Sequence, residues 1–460
     1  MIRPFGVSIP ANILGLVLFE TVVIVAAFVF SVNLYAETYP TEFLDSFVGV
    51  NVVLAYLGFF VGLYFQDLYQ DVQVKSVVLL AQQLVMVVGI VLLLQSVVIT
   101  IYPDLYMPLR VMLVGSAISV SVLFFGRLIF SAYVLPLVAS ERLLLYGQNP
   151  VLDDIAGYVQ KFPQLGIQVA GHVHTVQPEP ELGLVGQLDS LIQSYRTKRL
   201  VVGMSGKMDS ALASALLELQ SLGYSVQEAA RTYSKICNRE NLFRLGPKRL
   251  LYTKEFEPQT RTLFFQGLFS WVIAAVFCIA LSPLIVVIMI AARLCWGGPV
   301  LQRQTYSGRY GNSFRLYCFR GFDSILNPEK DSRGEAPGAT RDYLGSFLLR
   351  TGLYALPQLF NVLRGEMSLV GPKPQRPEFF TQLTEQIPFY PHRLKVLPGI
   401  TGWSQVQTRR LSGRVECLVE LEYDLYYLKY CSLRMDIFVI LQAIKNVMLW
   451  GGRPSNVLSD

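Results

Sequence analysis

Long apolar runs dominate the first 139 residues of the chain. Four of them can be read, at 11–35, 47–66, 76–101 and 108–137. Each reaches the ~20 residues that an α-helix needs to cross the ~30 Å hydrocarbon core of a bilayer. Because a chain in that core must satisfy its own backbone hydrogen bonds, the pattern predicts a domain of four transmembrane helices over 1–139.

The few charged residues of this block indicate its orientation. The connectors at 33–46 and 102–107 carry acids and no base, whereas a basic residue stands in the 67–75 connector and near each outer end. Basic loops are retained in the cytoplasm, so both ends of the block and the soluble domains are predicted to be cytoplasmic. Glu20 and Arg127 fall inside the first and fourth runs, where snorkelling or pairing between helices is the preferred interpretation over a substrate role.

Composition agrees with a membrane part joined to a soluble part. Hydrophobic residues make up 52% and charged residues 16% of the 460, whereas soluble domains carry roughly a quarter charged residues. The mean hydropathy of +0.42 also excludes a disordered chain. The six cysteines form no CxxC pair and the three histidines are dispersed, so neither a zinc site nor a disulfide framework is indicated. No nucleic-acid partner is predicted, because no reader motif is present.

Strand-like and helix-like segments alternate over residues 140–225. This order predicts a parallel sheet in a doubly wound, Rossmann-like α/β domain. A phosphate site would need a glycine-rich loop after the first strand, but Gly147 stands there without a GxGxxG pattern. A structural or regulatory domain is therefore favoured over a nucleotide site. A basic linker follows at 226–262, which fits either attraction to anionic headgroups or an ordinary solvated connection.

A fifth apolar segment occupies residues 263–292 and contains the pair Ser282-Pro283. Its length alone favours a full membrane span. Proline removes an amide donor and clashes with the preceding turn, so the helix is predicted to break there. A broken helix can also enter and leave the same face of the membrane.

Five motifs follow in the C-terminal part of the chain, and their order carries a resemblance. They are GGPVLQRQ (297–304), FRLYCFRGF (314–322), LPQLFNVLRGEMSLVGPKP (356–374), LPGITGWSQV (397–406) and EYDLYYLKYCSLRMDIFVIL (422–441). With them the chain resembles the bacterial sugar transferase family. The four-helix and Rossmann-like prefix is similar to that of the large members, which start exopolysaccharide or O-antigen assembly.

This resemblance implies a function and a place in the cell. Members transfer a sugar 1-phosphate from a UDP-sugar to polyprenyl (undecaprenyl) phosphate, with Mg²⁺, at the bacterial inner membrane. The resemblance further implies a transferase domain at 263–460 whose membrane helix, 263–296, is re-entrant, with the break at Ser282 and Pro283. Other polysaccharide-assembly proteins are the implied protein partners, and a homodimer is plausible from paired membrane helices.

The charged positions of the family pattern are where this sequence departs from it. The family's Asp-Glu pair, whose Asp is the implied nucleophile, corresponds to Tyr354 and Ala355. Alanine binds no metal, and a neutral tyrosine hydroxyl with a pKa near ~10 is a poor nucleophile. The other family charges that are lost align with uncharged residues, namely Leu349, Cys318, Tyr306, Gln266 and Ser270, and Gly267 stands where the family has an aromatic residue.

A set of polar residues is kept, and the resemblance makes them candidates for substrate or phosphate binding. They are Lys373, Arg376, Gln405, Arg409 and Asp424. Each also has a structural interpretation, in which the Gly-Pro turn shapes the chain, Trp403 packs, and Asp424 caps or pairs.

Three functions stay open at this point. The first is an active transferase with relocated catalytic groups, for which Glu366 and Asp323 are the nearest acids in sequence. The second is a catalytically inactive relative that serves as a membrane scaffold or substrate-binding partner. The third is a membrane sensor whose α/β domain binds a nucleotide.

Overall fold

The computed structural model describes most of the chain. The described residues are 11–35, 48–66, 68–69, 72, 74, 76–105, 107–134, 141–162, 165–174, 184–204, 209–242, 254–297, 299–319, 343–387, 389–408 and 417–450. They divide into two compact units, with the boundary between Thr232 and Tyr233.

All four N-terminal apolar runs are helical. The helices are α1 (Ala11–Leu34), α2 (Val48–Phe65), α3 (Val77–Ile101) and α4 (Leu109–Ile129), which a π-helical turn continues over Phe130–Val134. By length and composition three of them can cross a membrane, as can a helix at Thr260–Ala280. The chain is thus a membrane protein. Helix α2 has 18 residues, about 27 Å at 1.5 Å per residue, slightly less than the ~30 Å core.

Close packing and one ion pair hold these helices together. Phe28 and Phe59 meet edge to face at 5.9 Å between ring centroids, and the Phe28 ring lies against Gly115. Arg127 Nη2 lies 2.6 Å from Glu20 Oε1, and both side chains are buried. The predicted pairing of these two intramembrane charges is confirmed.

The predicted parallel sheet is present in the same unit. Its strands are β1 (Glu141–Tyr146), β2 (Ile167–Val173), β3 (Arg199–Val202) and β4 (Ser225–Glu228), in the order β2-β1-β3-β4 with every pair parallel. Helices α5 (Pro150–Lys161), α6 (Leu184–Ser194) and α7 (Ser210–Ser221) alternate with them. Strand β4 escaped prediction because its four residues, SVQE, contain one apolar side chain.

Gly147 at the end of β1 has a structural reason. Its φ is +117°, and a Cβ there would lie 2.0 Å from the carbonyl oxygen of Gly203 at the end of β3. Only glycine permits this close approach of two strand ends. The side chain of Asn149 already caps α5 by accepting from the Val151 amide at 2.9 Å. Both features explain this loop without a bound phosphate.

The described residues of the 226–262 segment from Tyr233 onward belong to the C-terminal unit. Helix α8 (Ala229–Cys237) leads into it. The amide of Leu242 donates to Glu422 Oε1 at 3.3 Å, and Lys429 Nζ lies 2.9 Å from Glu240 Oε1. Phe256 is fully buried in the core of this unit.

The fifth apolar segment forms two helices with Leu281 between them. Helix α9 (Thr260–Ala280) ends at Leu281, and α10 (Ser282–Trp296) begins with Pro283 in its first turn. Ser270 of α9 shares a hydrogen bond with Ser368, and Ile288 of α10 packs beside Phe319 and Leu348, so both arms contact the C-terminal unit.

Two small sheets and several helices complete this unit. Strands β5 (Leu301–Ser307) and β6 (Ser313–Phe319) form an antiparallel hairpin, and β7 (Ser368–Val370) pairs in parallel with β8 (Gly399–Thr401). The helices are α11 (Tyr343–Thr351), α12 (Leu359–Leu363), α13 (Pro377–Gln386), α14 (Trp403–Thr408), α15 (Cys417–Lys429) and α16 (Leu433–Trp450).

Candidate active site

Three glycines of two different motifs lie close together around β7 and β8: Gly371 follows β7, Gly399 begins β8 and Gly402 follows β8. The amide of Gly371 donates to Thr401 O at 2.9 Å, and that of Gly399 donates to Pro372 O at 3.0 Å. A Cβ on Gly371 would lie 2.3 Å from Leu397 O, and one on Gly402 would lie 2.4 Å from Gly371 O. The glycines of LVGPKP and PGITGW therefore close a backbone junction that positions the loop after it.

That loop carries two of the predicted cations. Lys373 is buried, and its carbonyl oxygen accepts from Arg393 Nη2 at 3.4 Å. Arg376 precedes α13, and its Nη2 donates to Gln304 Oε1 of β5 at 2.9 Å. The amide of Ser307 also donates to Gln375 O at 2.8 Å, so the hairpin and the loop are joined.

Asp424 is held by a buried arginine that the sequence analysis missed. Arg393 Nη2 lies 2.6 Å from Asp424 Oδ2, and each side chain is 1% exposed. Burial raises the pKa of Asp424 to about 6, although Arg393 and a hydrogen bond from Ser404 oppose the rise. Arg393 also contacts the Tyr390 hydroxyl. A cationic partner stabilises a buried ionised acid, and that tendency was the available signal for Arg393.

The aromatic residues of the last two motifs pack as structural residues. Trp403 stacks on Tyr426 at 6.2 Å between centroids, and its Nε1 donates to Asn238 O at 3.1 Å. Tyr426 donates to Asn238 Oδ1 at 3.0 Å. Gln405 lies half-buried on α14 of the same region, whereas Arg409 lies outside the described residues.

The positions of the family's acidic pair lie in a short 3₁₀ turn. Tyr354 and Ala355 belong to Leu353–Gln358, which joins α11 to α12. Tyr354 is half-buried against two groups of apolar side chains. Three other positions where the resemblance implies charge are also buried and uncharged: Tyr306, Cys318 and Leu349. The positions where the resemblance implies charge are therefore occupied by uncharged side chains that are buried or half-buried.

The residues at this site do not fit Mg²⁺. That ion binds oxygen ligands, above all carboxylates. Tyr354 and Ala355 supply no carboxylate, and over the described ranges no three His, Cys, Asp or Glu side chains lie close enough together to hold a metal ion. No step through a metal follows from these residues.

Two acids, Glu366 and Asp323, are the alternative catalytic candidates named from the sequence, and the structure describes only Glu366. Glu366 Oε2 accepts from Asn361 Nδ2 at 2.7 Å. Asn361 in turn bonds the amide of Tyr317 and the carbonyl of Arg315, so Glu366 supports the β6 strand. Asp323 lies outside the described residues.

These features define a membrane protein whose C-terminal domain presents a cationic loop beside a broken membrane helix. The sequence profile described as bacterial sugar transferase matches residues 261–450. A UDP-glucose:undecaprenyl-phosphate glucose-1-phosphate transferase of Klebsiella pneumoniae is 33% identical over 315 residues, which cover 66% of this chain and 67% of that protein. The chain belongs to the bacterial sugar transferase family.

Two further relatives match the C-terminal part. A UDP-N-acetylgalactosamine-undecaprenyl-phosphate N-acetylgalactosaminephosphotransferase of Aeromonas hydrophila is 34% identical over 180 residues, 38% of this chain and 42% of that protein. An uncharacterized sugar transferase of Bacillus subtilis is 32% identical over 182 residues, 39% of this chain and 85% of that protein. The chain thus spans less than half of the Aeromonas relative and most of the Bacillus one.

Proposed function

We propose that the chain acts in bacterial surface polysaccharide biosynthesis and transfers a sugar 1-phosphate from a UDP-sugar to undecaprenyl phosphate. The observation that carries this proposal is the common location of the motifs: the described residues of all five belong to one compact unit, which also contains α9 and α10. The names of the relatives from Klebsiella and Aeromonas give this donor and acceptor chemistry.

The membrane arrangement that we propose is re-entrant. Helix α9 is anchored through Ser270 and helix α10 through Ile288, both to the C-terminal unit. A break at Leu281 between two arms that contact one domain supports a helix that returns to the face it entered. The domain would then lie on the cytoplasmic side of the inner membrane, where UDP-sugars are made, and so would the Rossmann-like domain.

The loop after β7 is the proposed site for the donor's pyrophosphate. Lys373 and Arg376 supply positive charge there, and hydrogen bonds from charged donors to phosphate are stronger than neutral ones. The hydrogen bond from Arg376 to Gln304 fixes one guanidinium nitrogen and aligns the rest of the fork. Arg409 and Gln405 are the other predicted contributors, and Asp424 supports the loop through Arg393.

A second candidate function rests on a specific observation. Tyr354 and Ala355 replace the acidic pair, and losing a nucleophile or a general acid/base costs orders of magnitude in rate. A chain that binds lipid carrier or nucleotide sugar without turnover would serve as a scaffold in polysaccharide assembly. Transfer by this chain instead requires a nucleophile from elsewhere, such as Asp323.

One assay separates the two candidates. Full-length protein in nanodiscs is incubated with undecaprenyl phosphate and a panel of UDP-sugars, with and without Mg²⁺, and release of UMP is followed. The transferase predicts UMP above a protein-free control, together with a lipid-linked sugar. Binding of a UDP-sugar without UMP release would support the scaffold, and neither binding nor release would contradict both.

A further inference from the structure

Three arginines share one face of the β5–β6 hairpin and its surroundings. Arg303 pairs across the hairpin with Tyr317, and Arg315 precedes Tyr317 by two positions on the same strand. Side chains two apart on a strand, and those directly opposite, point to the same side of a sheet. Arg364 reaches this face from the end of α12. We name Arg303, Arg315 and Arg364 the arginine face.

Tyr317 holds two of these guanidinium groups close together. The guanidinium carbons of Arg303 and Arg364 lie 5.0 and 5.2 Å from the centroid of its ring, and Arg364 Nη1 donates to its hydroxyl at 2.6 Å. The two cations are therefore no more than about 10 Å apart. Cation–π attraction orients them, while all three arginine side chains stay exposed.

The positive charge of this face has no balancing acid in the described parts of the chain. None of its three arginines lies within ion-pair distance of a carboxylate among those residues. The nearby Glu366 carboxylate accepts from Asn361 instead.

Trp271 of α9 places the arginine face beside a helix that can cross a membrane. Its Nε1 donates to Leu363 O at 3.2 Å, directly before Arg364. Beyond Trp271, α9 exposes apolar side chains such as Val276 and Phe277. Arg364 therefore adjoins the exposed apolar surface of α9 through its neighbour Leu363, and tryptophan is a residue that favours the membrane–water interface.

We propose that the arginine face binds the phosphate of an anionic membrane phospholipid. The inference rests on charge complementarity and on the contact between Leu363 and Trp271 of the apolar helix, and it is independent of the transfer reaction. Arg303 and Gln304 are adjacent on β5 and point to opposite sides. The arginine face is therefore separate from the loop where Arg376 meets Gln304.

Trp271 supplies the reporter for a test on the full-length protein in mixed micelles. Quenching by dibrominated phosphatidylglycerol is compared with quenching by dibrominated phosphatidylcholine, and the W271F variant supplies the background. We expect stronger quenching by phosphatidylglycerol. In the R303Q/R364Q variant the apparent affinity for phosphatidylglycerol should fall about 30-fold. Each arginine contributes ~1 kcal/mol at an anionic surface, and two such contributions correspond to that factor. The matched control R231Q/R434Q removes two exposed arginines elsewhere and should keep the preference.

Two results would overturn the proposal. One is an equal phosphatidylglycerol preference in wild type and R303Q/R364Q, at unchanged thermal midpoints. The other is displacement of brominated phosphatidylglycerol by sub-stoichiometric polyprenyl phosphate, which would assign the face to the acceptor lipid. An excess of unbrominated phosphatidylglycerol should displace the brominated lipid from the arginine face, and high salt should weaken the binding of that lipid.

Discussion

Asp436 provides a prediction whose size follows from its surroundings. It lies on α16, is 1% exposed, and receives hydrogen bonds from Gln266 Nε2 and the Tyr427 hydroxyl, each at 2.7 Å. Neither partner is a cation. Burial therefore dominates and raises the pKa of Asp436 from its ordinary 3.8 to about 7, although both hydrogen bonds oppose the rise.

The sign of the effect on stability follows from proton binding. Between pH 3.8 and 7 the folded protein keeps the proton that the unfolded chain has lost, so rising pH favours unfolding. The stabilisation is complete below pH 3.8 and is lost as pH rises through 7. At about 1.4 kcal/mol per pH unit, the loss approaches about 4 kcal/mol. Asp436→Asn imitates the protonated acid and should remove this dependence.

The assay is thermal unfolding of the full chain in detergent, read by proteolysis of the C-terminal unit between pH 4.5 and 8. The midpoint of Asp436→Asn minus that of wild type should be small at low pH. It should rise to about 10 °C at pH 8, from ~2–4 °C per kcal/mol for a unit of this size. Asp154→Asn, an exposed acid on α5, is the control and should show no trend. A midpoint difference that stays constant with pH, or favours wild type at pH 8, would refute the reasoning.

Three further predictions concern the candidate site. Arg393→Met should leave the Asp424 charge buried without its partner and destabilise the C-terminal unit by ~3–5 kcal/mol, which chemical denaturation measures; an effect below 1 kcal/mol would contradict a buried pair. Gly371→Ala should lower the thermal midpoint or abolish expression, because its Cβ would overlap a carbonyl oxygen; a wild-type midpoint would show that the junction can relax. Restoring the acidic pair as Tyr354→Asp/Ala355→Glu should raise UMP release, and unchanged release in a folded variant would show that the other lost charges also matter.

The sequence predicted elements with strong periodic or apolar signals. The four apolar runs, the alternating α/β segments and the break before Pro283 are all decided by local patterns that a single chain displays. It missed β4, since four mostly polar residues gain their strand conformation from pairing with β3. It also treated residues after 226 as a linker, whereas Phe256 is buried through contacts distant in sequence.

At the candidate site, too, local motifs were predicted from the sequence and contacts between distant residues were not. The motifs identified Lys373 and Arg376 as candidates for phosphate binding. They did not predict the contact of Arg376 with Gln304, because that contact depends on how the β5–β6 hairpin packs against the loop after β7. Arg393 escaped because its partner, Asp424, lies 31 positions later. The arginine face escaped because it joins two strands and a helix end, and neither motif spacing nor composition reports that juxtaposition.

The measurement that tests the central proposal most directly is UMP release by the full-length protein with undecaprenyl phosphate and UDP-sugars. The proposed transfer predicts UMP and a lipid-linked sugar in equal amounts, both dependent on the acceptor. Failure of every UDP-sugar to yield UMP, from protein that binds one of them, would contradict it.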